Sequence, residues 1–300
     1  MLKAMMRRLL STAAAVLIAS SVLPAQPAAQ GPAARKCSVA GDLEIISFTS
    51  HVFHNQRKLR VWLPPGYHDS AQKNRRYPVL YLNDGQDVFN ACTAILGNSE
   101  WRADETATRL VKNSSIEPII IVGVDNAGKH ERPREYLPFP DEWLQPPMPV
   151  VHGRDYPAFL VGEVMPFINR RYRTQTDPAQ TGIGGSSYGA GIALYTVMER
   201  PGRFGRLLLE SPSIYAHQDY LIHRAERFSQ WPKRIFIGVG TVQEPTEDVE
   251  RLTKILRGEE LTAQRLLVIK QPGAAHNAKA WAARLPQALR FLYGTAGAPR

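Results

Sequence analysis

The segment Thr181-Gly182-Ile183-Gly184-Gly185-Ser186-Ser187-Tyr188-Gly189-Ala190 indicates an α/β fold, because a short apolar strand leads directly into a Gly-x-Ser-x-Gly turn and a helix. Such a turn, a nucleophile elbow, holds its serine in a strained backbone conformation, and the flanking glycines avoid clashes with the strand and the helix. The motif predicts that Ser187 is a nucleophile. The N-terminus of the next helix then faces a developing oxyanion, so the backbone N–H of Tyr188 is the predicted first donor to it.

Strand-like and helix-like segments alternate around this motif, as in a doubly wound α/β fold. The later strands are continuous apolar runs, which is typical of strands buried on both faces of a parallel sheet, whereas the first two alternate and suit an antiparallel edge. We therefore predict an eight-stranded, mostly parallel sheet with helices on both faces. The predicted strands are Glu44 to Phe53, Lys58 to Leu63, Pro78 to Asn83, Pro118 to Asp125, Thr181 to Gly185, Arg206 to Glu210, Arg234 to Gly240 and Arg265 to Lys270. The predicted helices are Arg102 to Lys112, Pro157 to Tyr172, Ala190 to Glu199, Thr246 to Arg257 and Lys279 to Leu292.

The partners of a nucleophile elbow follow it in the chain, in the order acid and then histidine. Of the eight histidines, His276 is the one that follows the last predicted strand, in the small-residue loop Pro272-Gly273-Ala274-Ala275-His276-Asn277. Such a loop lets the imidazole reach the edge of the sheet, where it can take the serine proton and return it. No other histidine has a second ligand at metal-site spacing, so we predict no metal.

Three carboxylates follow the strand Arg234 to Gly240 and are candidates for the acid. Pro245 biases Glu244 toward an extended loop conformation, which would present its side chain rigidly. Thr246 resembles a helix N-cap, so Glu247 and Asp248 are first-turn acids whose ordinary role is to complement the helix dipole. The sequence favours Glu244, while Asp248, Glu247 and a Ser/His dyad remain alternatives.

The loop after the strand Pro78 to Asn83 is expected to supply the second oxyanion donor. It contains Asp84-Gly85-Gln86-Asp87, in which the glycine lets the backbone approach a bound oxyanion. The N–H of Gln86 is the predicted donor. Asp84 precedes the nucleophile in the chain, so we interpret it as a hydrogen-bond acceptor that fixes the loop.

The N-terminus has the layout of a secretory signal, with a basic start followed by the apolar run Leu9 to Leu23. Pro24 interrupts this run before it reaches the about 20 residues of a membrane span. We therefore predict an exported protein, periplasmic or secreted, with no membrane span after cleavage. The predicted organisation is a signal segment over 1–30, cleaved after Ala25, Ala28 or Ala29, an N-terminal extension over 31–43, a catalytic domain over 44–294 and a tail over 295–300.

Composition and charge exclude several classes of protein. Hydrophobic residues make up 44% and charged residues 21% of the chain, as in soluble globular proteins, which excludes disordered, collagen-like and multi-span membrane chains. The formal net charge is +10, but half of this excess comes from five basic residues before Asp42, and the rest of the chain carries no basic run that would predict nucleic-acid binding. The two cysteines, Cys37 and Cys92, can form a disulfide in an exported protein, but their spacing does not decide whether they do.

Taken together, these features resemble the putative-esterase (esterase D-like) family of α/β-hydrolases. That family contains enterochelin and other ferric-siderophore esterases, acyl-sugar esterases and mycolyltransferases. Two departures concern Ala190, where a second glycine is usual, and the segment Gly240 to Glu244, which is one residue longer than the family's Gly-Thr-x-Glu. The resemblance rests on the elbow, Arg60-Val61-Trp62-Leu63-Pro64-Pro65-Gly66-Tyr67, Tyr77 to Leu82 with Asp84-Gly85-Gln86, Arg134-Glu135-Tyr136, and Pro272 to Asn277 leading to Trp281.

The resemblance implies an α/β-hydrolase fold and a serine esterase without a cofactor, which acts on a small-molecule ester through an acyl-enzyme. Acyl transfer of the mycolyltransferase type is the alternative activity, and a non-catalytic ligand-binding module is an alternative from another class. An acylated sugar, a small acyl ester and a siderophore ester are the candidate substrates. By analogy with the siderophore esterases, Arg132, Arg134 and Trp143 would contact an anionic aromatic ligand, or else form part of a solvated surface.

Overall fold

In the computed structural model, which describes residues 37–295 except 38 and 98, eight strands form one sheet in the order β1-β2-β4-β3-β5-β6-β7-β8. The pairs β1-β2 and β2-β4 are antiparallel, and the other pairs are parallel. This confirms the predicted mostly parallel sheet with an antiparallel edge. The strands are β1 (Asp42–Ser50), β2 (Asn55–Leu63), β3 (Val79–Asn83), β4 (Ile120–Val124), β5 (Thr181–Ser186), β6 (Arg206–Glu210), β7 (Arg234–Val239) and β8 (Leu266–Lys270).

Helices cover both faces of this sheet, as the alternating sequence pattern predicts. The predicted helix Pro157 to Tyr172 consists of α3, a π-helical turn over Phe159–Val164 and α4. Two helices, α2 and α6, were not predicted. The helices are α1 (Ala103–Lys112), α2 (Arg132–Tyr136), α3 (Tyr156–Ala158), α4 (Met165–Arg171), α5 (Tyr188–Glu199), α6 (Ala216–Ala225), α7 (Thr246–Gly258) and α8 (Ala278–Tyr293).

Both faces of the central strands are buried because successive side chains point to opposite faces and nearly all of them are apolar. In β3, Tyr81 packs in the layer under α2 to α7, whereas Leu80 and Leu82 pack in the layer under α1 and α8. Helix α5 lies in the first layer and is buried along most of its length. The nucleophile elbow is therefore mounted between a buried strand and a buried helix.

The carboxyl ends of β3, β5, β6, β7 and β8 lie at one edge of the sheet because these strands are parallel. Ligand sites of open α/β sheets form at this edge. The loops that carry the predicted site residues follow β3, β5, β7 and β8. The topology thus brings sequence-distant loops to one place.

A disulfide joins Cys37 to Cys92, with a Cα–Cα distance of 5.3 Å, which settles the alternative that the sequence left open. The bridge connects the segment before β1 to the loop that follows the 3-10 turn Gly85–Asp87. Within the described residues, no helix has the length and apolarity to cross a bilayer. The predicted signal segment, and all but residue 295 of the predicted tail, lie outside the described part of the chain.

Candidate active site

Ser187 has the backbone conformation expected of a nucleophile elbow, with φ of 56° and ψ of −130° between β5 and α5. Its N–H donates to the Glu210 carbonyl at the end of β6, at 3.0 Å. A Cβ on Gly185 would lie 2.7 Å from the backbone of Gly189, and a Cβ on Gly189 would lie 2.8 Å from Asp84 Oδ2. The turn therefore closes only because both flanking residues are glycines.

His276 contacts Glu244, with His276 Nδ1 2.9 Å from Glu244 Oε2. The Glu244 side chain is fully buried, whereas 31% of the His276 side chain is exposed. Gln243 adopts a positive φ of 53°, and the longer loop after β7 still brings Glu244 to the histidine. Asp248, the alternative acid, instead forms an ion pair with Arg251 on α7, at 3.6 Å. Of the candidate acids, the structure brings Glu244 to His276.

Two hydrogen bonds besides that to His276 hold the Glu244 carboxylate. Its Oε1 accepts from Ser211 Oγ at 2.8 Å and from the Gly240 N–H at 3.3 Å. Burial raises the pKa of Glu244, but the hydrogen bonds from His276 and Ser211 lower it by more, so this pKa lies below its usual value. The carboxylate is therefore charged at neutral pH.

A second set of side chains lies behind this pair, and it was not recognised as part of the site from the sequence. Ser211 Oγ accepts from Trp281 Nε1 at 3.0 Å, and the Trp281 ring lies edge-on to His276 with centroids 5.5 Å apart. Arg284 donates to Glu210 Oε2 with its Nε and Nη2, at 2.8 and 2.6 Å. Ser211 directly follows β6 at the carboxyl edge, and that position was the signal available in the sequence.

The Ser187 hydroxyl lies 3.3 Å from the hydroxyl of Ser213. Among the described residues, no hydrogen bond joins Ser187 Oγ to His276 in this conformation. The turn after β6 links the two halves of the site, because Ser213 contacts Ser187 and Ser211 contacts Glu244. Ser187 and Glu244 therefore both contact this one turn, and His276 is connected to it through Glu244.

Gln86 lies on the 3-10 turn after β3, where Asp84 takes a left-handed conformation with φ of 59°. A Cβ on Gly85 would lie 2.5 Å from the Gly123 backbone, so glycine is required where this turn crosses β4. Within the described chain, the backbone N–H groups of Gln86 and Tyr188 donate to no protein acceptor. Both are thus available to an oxyanion.

Buried ion pairs fix the loops around this turn. Arg132 donates to both oxygens of Asp84, at 2.7 Å each, and also to the Ser186 carbonyl at 3.2 Å. Its guanidinium is therefore already engaged behind the elbow, and this buried position argues against the predicted contact of Arg132 with substrate. Two further pairs lie on the same side of the site, Arg60 with Asp125 and Arg57 with Glu135.

The other two predicted substrate contacts are more exposed. The Arg134 side chain is 40% exposed and pairs with Glu131 at 3.3 Å. Trp143 is 74% exposed, and its backbone N–H donates to Asp141 Oδ1. The other oxygen of Asp141 accepts a hydrogen bond from the Tyr188 hydroxyl. Trp143 is therefore connected, through Asp141, to the residue that follows Ser187.

A water-sized pocket of about 20 Å³, with aromatic side chains in its walls, lies next to Tyr188 and Ser213, the neighbours of the nucleophile. Phe139 stacks on His217 with centroids 4.5 Å apart and an angle of 6° between the rings, and the Arg154 guanidinium lies 4.1 Å from the Phe139 centroid. Sequence reasoning missed this pocket because α6, which forms one wall, was not predicted. Its lining includes Tyr136, Leu137, Phe139, Tyr188, Ser213, His217 and Tyr220.

The family model described as "Putative esterase" matches residues 50–292 of the chain. An endo-1,4-beta-xylanase/feruloyl esterase from Xylanibacter ruminicola is 23% identical over 257 residues, which are 84% of this chain and 31% of that protein. A siderophore enterobactin esterase from Emericella nidulans is 27% identical over 161 residues, half of each chain. The chain thus spans only a third to a half of the length of these two relatives.

Among solved structures, the enterobactin esterase FES from Shigella flexneri superposes with a TM-score of 0.66 at 18% identity, covering 85% of this chain and 59% of that one. This likeness confirms the predicted α/β-hydrolase fold. The family match covers most of the chain and agrees with the motifs recognised in the sequence. The chain therefore belongs to the "Putative esterase" family.

Proposed function

We propose that the protein is a serine esterase whose triad is Ser187, His276 and Glu244. The observation that carries this proposal is the 2.9 Å contact between His276 Nδ1 and Glu244 Oε2 at the sheet edge where the strained Ser187 lies. An acceptor at Nδ1 keeps the imidazole proton on that nitrogen and leaves Nε2 as the base. The charged carboxylate then stabilises the imidazolium that forms.

The reaction proceeds through an acyl-enzyme. Ser187 Oγ attacks the ester carbonyl carbon while His276 takes the hydroxyl proton, and the imidazolium then gives that proton to the departing alcohol. Water attacks the acyl-enzyme in the second half, and His276 passes a proton from water to Ser187 Oγ. The free N–H groups of Gln86 and Tyr188 are the proposed donors to the oxyanion of both tetrahedral intermediates.

We propose an aromatic acyl ester as the substrate class. The aromatic character of the wall next to Ser213 supports this, because Phe139, His217 and Tyr220 pack on one another there and form an apolar surface. The feruloyl esterase and enterobactin esterase among the relatives are consistent with it. An acylated sugar with an aromatic acyl group belongs to this class, and a catecholate siderophore ester is related to it because it carries an aromatic ring on the acyl part of the ester.

A serine-directed fluorophosphonate tests the mechanism, and an ester panel tests the substrate class. We expect the probe to label Ser187 and the Ser187→Ala variant to take up no label. We expect faster turnover of p-nitrophenyl ferulate than of p-nitrophenyl acetate, since the two esters share a leaving group and differ only in the acyl part. Label at another residue would contradict the triad, and preference for the acetate would contradict the substrate class. Acceptor-dependent product formation with sugar alcohols would instead indicate an acyltransferase.

Export remains part of the proposal, with a mature N-terminus between Ser20 and Gln30. The Cys37–Cys92 disulfide supports it, because such bridges persist in oxidising compartments outside the cytoplasm. N-terminal sequencing of protein from the periplasm or the medium tests it. A first residue of Met1 would contradict signal cleavage.

A further inference from the structure

The start of helix α8 is connected to both the histidine and the acid of the proposed triad. His276 lies two residues before the helix begins, and the side chain of Asn277 caps the helix by accepting a hydrogen bond from its first turn. In that turn, Trp281 Nε1 donates to Ser211 Oγ at 3.0 Å, and Ser211 Oγ donates in turn to Glu244 Oε1 at 2.8 Å. The same few residues of chain therefore carry the base and a donor that reaches the acid through one hydroxyl.

The direction of each hydrogen bond at Ser211 follows from the chemistry of its partners. An indole N–H and a guanidinium can only donate, whereas an ionised carboxylate can only accept. Trp281 Nε1 and Arg284 Nη2 lie 3.0 and 3.5 Å from Ser211 Oγ, so both meet this atom as donors. Among the described residues, the single proton of the Ser211 hydroxyl then has one acceptor, Glu244 Oε1. The hydroxyl is therefore directed at the carboxylate by the donors behind it.

Packing holds the indole that sets this direction. Trp281 is 3% exposed, and the centroid of its ring lies 5.9 Å from that of Trp101 and 5.5 Å from that of His276. Arg284, three residues further along α8, is held by a buried ion pair. A Cβ on Gly238 would lie 2.7 Å from Arg284 Nε, so this part of α8 packs directly on β7. The indole N–H is therefore kept in one position by the residues around it.

We propose that Trp281 is a positioning residue for the acid, because its indole N–H directs the Ser211 hydroxyl onto Glu244 and so holds the carboxylate in line with His276. This inference rests on the proposed serine mechanism. It gives α8 the task of aligning the acid with the histidine that precedes the helix. The acid supports the imidazolium in both halves of the reaction, so loss of this alignment slows both halves alike.

A double-mutant cycle tests the proposal, with kcat and KM measured on the p-nitrophenyl ester that the wild type turns over faster. Trp281→Phe removes the indole N–H and keeps a buried ring, and it should lower kcat about three- to tenfold while changing KM by less than about twofold. Ser211→Ala removes the hydrogen bond to the acid itself and should lower kcat by about tenfold. In the Ser211→Ala background, Trp281→Phe should change kcat by less than about twofold, because the N–H then has no hydroxyl to direct.

Trp101→Phe is the matched control, because it shortens a second buried tryptophan that packs on Trp281 and, within the described chain, has no side-chain hydrogen bond to the acid or the histidine. We expect it to lower the Tm as Trp281→Phe does and to change kcat by less than about twofold. An equal fall in kcat in the two variants would overturn the proposal and indicate a packing role. Unchanged kcat in folded Trp281→Phe, or additive effects of Trp281→Phe and Ser211→Ala, would also overturn it. Wild-type turnover by folded Ser187→Ala would instead contradict the serine mechanism itself.

Discussion

The two flanks of Ser187 are built differently. On the oxyanion flank, formed by the loops after β3 and β4 and by α2, the carboxylates of Asp84, Asp125 and Glu135 each pair with a buried arginine. On the acid-histidine flank, formed by the loops after β6, β7 and β8, Glu210 also pairs with a buried arginine, Arg284, but the buried carboxylate of Glu244 contacts the partly exposed His276 instead. Buried arginines therefore hold every carboxylate named on the first flank, whereas the second flank keeps one carboxylate for the imidazole.

This difference follows from what each flank has to hold. An oxyanion hole of backbone N–H groups cannot be adjusted by a side-chain rotamer, so the loops that carry it must be held rigidly. Buried ion pairs do this, because removing one partner leaves an uncompensated charge. The imidazole must reach both Ser187 and the leaving group. Mutations of the buried ion pairs of the oxyanion flank should therefore impair folding, and mutations of Glu244 or His276 should impair rate.

The largest effect is expected at the nucleophile and the base, where a loss of rate without a loss of folding would distinguish this flank from the oxyanion flank. Ser187→Ala and His276→Ala should each lower kcat by about 10⁴- to 10⁶-fold, and the double variant should be little worse because the two act as one proton-transfer unit. Steady-state kinetics on folded protein measures this. Wild-type turnover by folded Ser187→Ala would refute the mechanism.

Glu244→Ala should cost about 10²- to 10⁴-fold in kcat, because the acid orients the imidazole and stabilises its charged form without exchanging the proton itself. Asp248→Ala is the matched control and should be nearly silent, since Asp248 pairs with Arg251. The two variants are compared by kcat and by thermal unfolding. A damaging Asp248→Ala beside a silent Glu244→Ala would move the acid to α7.

Arg132→Ala tests the oxyanion flank, because it leaves the Asp84 carboxylate buried without its partner. We expect the free energy of unfolding to fall by about 3–5 kcal/mol. Arg134→Ala, two residues away on the same helix, removes a half-exposed pair and should change it by less than about 0.5 kcal/mol. Urea unfolding measures both. Equal values would mean that the buried pair is not what fixes this flank.

The disulfide bears on the same flank, since Thr93 Oγ1 donates to the Gln86 carbonyl at 2.7 Å in the loop that contains Cys92. Replacing Cys37 and Cys92 together by serine should lower the free energy of unfolding by about 2–4 kcal/mol. A reducing agent should destabilise the wild type and leave the variant unchanged. Two titratable thiols in unfolded, non-reduced wild type would contradict the bridge.

The smallest effect is a pH dependence at Asp87, beside Gln86. Burial, with nearby Asp84, raises the pKa of Asp87 to about 7, although hydrogen bonds from the N–H groups of Ile95 and Leu96 oppose it. An unfolded aspartate has a pKa of about 3.9. Between about pH 3.9 and pH 7, the folded state therefore holds a proton on Asp87 that the unfolded state has lost. The free energy of unfolding falls as the pH rises through this range.

Asp87→Asn removes that titration and keeps an acceptor oxygen for the loop. Relative to wild type, its Tm should be about 5–10 °C more favourable at pH 8 than at pH 5. Thermal unfolding at the two pH values gives the comparison. A Tm difference independent of pH would show that Asp87 does not titrate in this range.

All eight strands could be predicted because each central strand is an apolar run buried on both faces, a pattern that survives without tertiary information. Helix α2 was missed because it is one turn with a proline at its second position. Helix α6 was missed because it is not a continuous helix: His217, Gln218 and Asp219 all have positive φ. The regular part that follows is too short to give a clear helical pattern of apolar residues in the sequence. The edge strand was predicted too long, since β1 ends at Ser50 and a turn precedes β2.

The elbow and the histidine loop were visible as local motifs, and Pro245 distinguished Glu244 from its neighbours. Arg132 was different, because its partner Asp84 lies 48 positions earlier and a loop arginine usually faces solvent. Ser211 and Ser213 carry no motif of their own. Their importance comes from the strand order, which places the end of β6 next to the ends of β5 and β7.

The proline-rich segment between Leu137 and Gly153 has a consequence for how this enzyme can be changed. Its two ends are joined, because the Gly153 N–H donates to the Leu137 carbonyl at 3.0 Å and a Cβ on Gly153 would collide with that residue. Between them, the Glu142 carboxylate accepts from the backbone N–H groups of His217 and Gln218. A combinatorial library confined to residues 143–151 therefore changes exposed positions and keeps the contacts at Leu137, Glu142 and Gly153 that hold the segment in place. Variants with new substrates can thus be selected without changing the residues of the proposed triad or the loops that carry them.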